Sequence, residues 1–99
     1  MFTWYRTASI APGRVAKTMA FATEISAYVK EKTGVEVRVA VPVSGNPNRV
    51  GWSSRYDSLA KFEATMAKLM ADSTYMEAIA KNADNFVAGS VHDEFWRDV

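Results

Sequence analysis

The chain has 99 residues, of which 48% are hydrophobic and 23% charged, so one modest core and a single domain over residues 1–99 are expected. Twelve Lys and Arg against eleven Asp and Glu leave a net charge of +1, without the basic excess of an electrostatic nucleic-acid binder. The absence of cysteine excludes disulfides, thiolate metal sites and a cysteine nucleophile.

Residues 2–10, FTWYRTASI, are rich in aromatic and β-branched side chains and predict a first strand. Pro12-Gly13 breaks it and opens a helix. Val15, Met19, Ala22, Ile25 and Val29 recur at three- and four-residue steps along that helix, and Gly34 is its natural stop. Residues 35–43, VEVRVAVPV, carry valine at every odd position, the period-two pattern of a strand with one apolar face. Pro42 cannot donate to a ladder, which places this second strand at an edge.

The turn-rich run Ser44-Gly45-Asn46-Pro47-Asn48 leads into a third strand at 49–56, RVGWSSRY, completing a hairpin. Asp57 or Ser58 can cap the next helix, whose apolar positions are Leu59, Phe62, Met66, Leu69 and Met70. Asp72-Ser73 interrupts the pattern. Thr74 with Glu77 matches a capping box for a shorter helix reaching residue 82, with Tyr75, Met76 and Ile79 as contacts. The alternation from Phe86 to Trp96 predicts a fourth strand. The resulting order is βαββαβ, the ferredoxin-like α+β arrangement of a four-stranded antiparallel sheet with helices on one face.

Two helices cover only one face of such a sheet. The valines of the second strand suit the helix side and leave Glu36 and Arg38 for the other. Each remaining strand keeps bulky apolar or aromatic residues on both parities, so the open face is expected to meet a partner or line a pocket. Homodimerisation sheet to sheet is the simplest cover.

Several residues carry the likeness to a known family: Tyr5-Arg6-Thr7, Pro12-Gly13-Arg14, and above all Asn48-Arg49-Val50-Gly51-Trp52. Arg55-Tyr56-Asp57-Ser58-Leu59, Met70-Ala71-Asp72 and Tyr75 extend it. In these the sequence resembles the dimeric α+β-barrel superfamily, most of all its NIPSNAP-like members, which are related to antibiotic-biosynthesis-monooxygenase-type domains. The second strand is richer in valine than that pattern, and Tyr75 stands where a tryptophan is common. The resemblance implies a homodimer whose sheets form a barrel around a cavity. It also implies kinship with cofactor-independent monooxygenases and haem-degrading enzymes.

His92 is the only histidine and the only side chain whose ordinary pKa lies near neutrality. It is a candidate general acid or base, against the plainer reading of a strand histidine bonded locally; a single histidine does not make a conventional zinc site. Arg6, Arg38 and Arg55 fall on three strands and could hold a carboxylate, enolate or phenolate; alternatively they form ion pairs with Glu36 and Glu94. Trp4 and Trp52, with Tyr56 and Trp96, could shape an aromatic pocket or fill a core or interface.

The third strand lacks the RNP1 pattern of RNA-recognition domains. No Gly-rich nucleotide loop, cofactor motif or metal cluster occurs. Nor does any run of apolar residues reach membrane-spanning length, so a cytoplasmic protein is expected. Two functions remain: a cofactor-independent monooxygenase- or isomerase-like enzyme acting on a small aromatic or polyketide-like molecule, or a non-catalytic dimer that binds a small apolar ligand or acts as a structural partner.

Overall fold

The computed structural model describes residues 1–99. The strands are β1 (Phe2–Ser9), β2 (Arg38–Ala40), β3 (Arg49–Tyr56) and β4 (His92–Arg97). The helices are α1 (Val15–Thr33), α2 (Leu59–Met70) and α3 (Ser73–Lys81), followed by a short 3₁₀ turn at Ala83–Asn85. All strand pairs are antiparallel in the order β2-β3-β1-β4, the ferredoxin-like α+β fold expected from the sequence.

The register decides which side chains face the helices. Trp4 lies opposite Ser54, Arg6 opposite Trp52, and Ala8 opposite Val50. On the other side of β1, Trp4 pairs with Phe95 and Arg6 with Asp93. Val50 and Ala8 are almost fully buried, so this parity is the core side. Thr3, Tyr5, Thr7, Arg38, Ser53, Arg55, His92, Glu94 and Trp96 occupy the opposite, open parity.

The helix-side core forms two clusters. Ala8, Ile10, Ala22, Val50 and Trp52 make one; Val29, Val35, Tyr56 and Leu69 make the other. Trp4 and Val37 pack against both. Edge-on ring contacts of Phe86 with Phe21 and Trp52, at 6.2 and 5.8 Å between centroids, extend the first cluster.

Several boundaries differ from the sequence expectation. The second strand is confined to Arg38–Ala40, because β3 is its only neighbour and Pro42 follows without an N–H. The fourth strand begins at His92, not Phe86. Phe86 makes only an isolated bridge with Ile10, and Gly89 at φ 78° turns the chain before the strand starts. Asp72, not Thr74, caps α3, its carboxylate accepting from the Tyr75 N–H at 2.9 Å. Thr18 and Phe21 are buried on α1 whereas Val15 stands 47% exposed, which rotates the inner stripe. Leu59 and Met70 are exposed, since the inner seam of α2 runs through Phe62, Met66 and Leu69. Gly34, at φ 76°, ends α1 as anticipated, and Ser58 caps α2.

Candidate functional site

A cavity of about 290 Å³ lies between the helix side of the sheet and the helices. Of its 21 lining residues 17 are hydrophobic, and Arg6 is the only charged one. The sheet supplies Trp4, Arg6, Ala8, Trp52, Ser54 and Tyr56, all of the core-facing parity. Phe21, Ile25 and Val29 come from α1, Met66 and Leu69 from α2, and Tyr75 and Ile79 from α3.

The residues around this space are held by specific local contacts. Asp72 caps α3 and also accepts from the Tyr28 hydroxyl at 2.7 and 2.8 Å, tying α3 to α1 and fixing where Tyr75 begins its turn. The loop from Phe86 to Val91 forms part of the wall and is pinned to the end of β1. There the Val87 N–H donates to the Ser9 carbonyl at 2.9 Å, and the Ser9 N–H donates to the Ser90 hydroxyl at 3.1 Å.

Arg6 carries the polar chemistry of the wall. Its Nε and Nη2 donate to the two carboxylate oxygens of Asp93 at 2.7 and 2.8 Å, a bidentate pair. The guanidinium carbon stands 5.2 Å from the Trp4 ring centroid, a cation–π contact that orients it. The Asp93 hydrogen bonds raise the pKa of Arg6, and the same bonds hold the Asp93 carboxyl below its ordinary range. Burial pushes the Tyr75 phenol up, while the Arg6 charge opposes that shift. In the same wall the Trp52 indole N–H is buried without an acceptor.

Of the eight residues singled out by sequence, the structure brings together Arg6, Trp4, Trp52 and Tyr56 at this cavity, and Trp96 lies on the other face of the sheet. His92, Arg38 and Arg55 lie on the other face of the sheet. His92 Nε2 is 3.1 Å from Glu94 Oε2, and the Trp96 indole donates to Glu94 Oε1 at 2.8 Å. Arg55 donates to Thr3 and to Asp98 at 2.9 and 2.6 Å. A sheet therefore separates His92 from Arg6, and one chain does not join them in a single site. Sequence reading missed Asp93 as the partner of Arg6. Its signal was the β1–β4 register, which spacing along the chain does not supply.

No protein-family model matches the sequence, and no curated protein matches it. Solved structures do resemble it. A NIPSNAP-domain protein from Burkholderia xenovorans superposes with a TM-score of 0.84 at 18% identity, over 100% of this chain and 95% of that one. A NIPSNAP-family protein of unknown function from Agrobacterium tumefaciens gives 0.80 at 19% identity, over 99% and 87%. The chain has a NIPSNAP-like ferredoxin-like fold. A structure from Deinococcus radiodurans, provisionally assigned as an antibiotic biosynthesis monooxygenase, shares it with a TM-score of 0.76 at 14% identity, covering 100% and 93%. At these identities the likeness establishes the fold alone. No helix is long and apolar enough to cross a membrane.

Proposed function

We propose that this chain is a cytoplasmic homodimer, joined through the open face of its sheet, in which each protomer binds a small aromatic or polyketide-like molecule between sheet and helices. The observation that carries the ligand reading is the cavity: about 290 Å³ of mostly apolar space with one charged wall residue. Packed interiors leave few gaps larger than a water molecule. Trp4, Trp52, Tyr56 and Tyr75 offer ring faces and edges to a flat guest. The volume sits at the lower limit of ligand pockets, about 300 Å³, which suits a molecule of one or two rings.

The dimer is supported by the open face, where Tyr5 and Trp96 stay 46% and 59% exposed in the lone chain. In that arrangement Arg38, Arg55 and His92 serve the contact between protomers and not the ligand.

A second reading places a cofactor-independent monooxygenase- or isomerase-like reaction in the same cavity. Structures provisionally assigned as antibiotic biosynthesis monooxygenases share the fold, and the Nη1 of Arg6 left free by Asp93 can donate a hydrogen bond to an enol or phenol oxygen in a mostly apolar wall. Tyr75, which lines the same cavity as Arg6, is better placed to hold a proton there than His92 on the other face of the sheet.

Calorimetric titration with 2-naphthol tests the ligand reading: saturable binding at one molecule per chain is expected, and no binding overturns it. A native mass spectrum at twice 11.0 kDa supports the dimer, and a monomer overturns it. Turnover that is lost in Arg6→Ala while binding persists favours the enzyme over the binder.

A further inference from the structure

We infer that the cavity selects a neutral aromatic molecule bearing a hydroxyl or carbonyl oxygen, and that Asp93 sets this selectivity by cancelling the charge of Arg6. The inference rests on the reading that this cavity binds a ligand, and it names the class.

Arg6 is the only cation in the wall, and no carboxylate other than Asp93 bonds to it. Its Nε and Nη2 are engaged by Asp93, so the pair presents almost no net charge to the cavity. A ligand carboxylate would leave water for a space with 17 hydrophobic lining residues, where the one cation is already neutralised. Desolvation then opposes binding with little Coulombic return. A phenol or ketone carries no such charge. It needs only one donor for its oxygen, and Arg6 retains Nη1, which makes no hydrogen bond within the chain. Contact with the Trp4 ring holds the guanidinium plane in place for that bond.

Asp93 is thereby a specificity residue. Removing its charge while keeping its shape leaves Arg6 as an unpaired cation beside the cavity, which favours an anion.

The test compares 2-naphthol with 2-naphthoate, nearly equal in size, by calorimetry at pH 7 on the wild type and on Asp93→Asn. In the wild type 2-naphthol is expected to bind at least about tenfold more tightly than 2-naphthoate. In Asp93→Asn the naphthoate affinity is expected to rise about tenfold, with naphthol changed much less. Equal wild-type affinities, or tighter naphthoate, overturn the inference while leaving the ligand reading intact. Binding of neither probe overturns both. An unchanged naphthoate affinity in a folded Asp93→Asn overturns the role of Asp93. If that variant does not fold, the wild-type comparison decides alone.

Discussion

Arg6 and Asp93 lie 87 positions apart in sequence yet meet as directly opposed residues of β1 and β4, joined by hydrogen bonds of 2.7 and 2.8 Å. Arg6 is the one charged residue lining the cavity, so the contact with Asp93 bears on folding and on ligand choice.

Its folding role has a pH signature. Arg6 lowers the pKa of Asp93, so the stabilisation is complete above the unfolded value of about 4 and fades as pH falls through the lower folded value. Thermal melting from pH 7 to pH 2 is expected to show wild type more stable than Asp93→Asn at neutrality. The gap should narrow below about pH 4. A gap that stays constant to pH 2 contradicts the assignment.

Tyr75 gives the opposite dependence. Burial raises its pKa, so its contribution is present below the unfolded value of about 10 and is lost as pH rises through the higher folded value. The Tyr28 phenol is raised as well, by its hydrogen bonds to Asp72, so ultraviolet titration of the four tyrosines should show two late steps, of which Tyr75→Phe removes one; a late phase undiminished in that variant would place Tyr75 in solvent.

Val50 is 1% exposed at the centre of the first cluster. Val50→Ala is expected to cost about 2 kcal/mol from lost contact and residual cavity. For a domain this size that lowers Tm by roughly 10 °C, readable by circular dichroism. A shift within about 2 °C would mean that the site collapses freely.

Tyr5 and Trp96 present rings on the open face. Tyr5→Glu and Trp96→Glu place charge where the proposed dimer buries surface, so each is expected to shift sedimentation toward the monomer without loss of helix signal. Dimers of undiminished stability in both variants would move the interface elsewhere.

Much of the architecture was legible because the local signals agreed. The third strand has its expected limits, 49–56, since the turn through Asn48 starts it and the Ser58 cap forces the next helix. Val35 and Val37 lie on the helix side as expected, while Val41 and Val43, past the short strand, are exposed. Residues 35–43 and 86–96 misled because alternation reports a chemistry suited to a strand, not the presence of a neighbour. β2 pairs over three residues only, and Gly89 with the Ser90 bonds converts the start of the last alternating run into a loop. Of the candidate site, Trp4, Arg6 and Trp52 were identifiable by type. Which face each took, and that Asp93 meets Arg6, depended on register between strands at opposite ends of the sequence.

The most direct test of the central claim uses the three tryptophans as reporters. Trp4 and Trp52 line the cavity, and Trp96 lies on the opposite face of the sheet. In a ¹⁵N-labelled sample titrated with 2-naphthol, the indole N–H resonances of Trp4 and Trp52 are expected to move while that of Trp96 stays fixed. Movement of Trp96 alone, or of none of the three, would contradict a ligand site between the sheet and the helices.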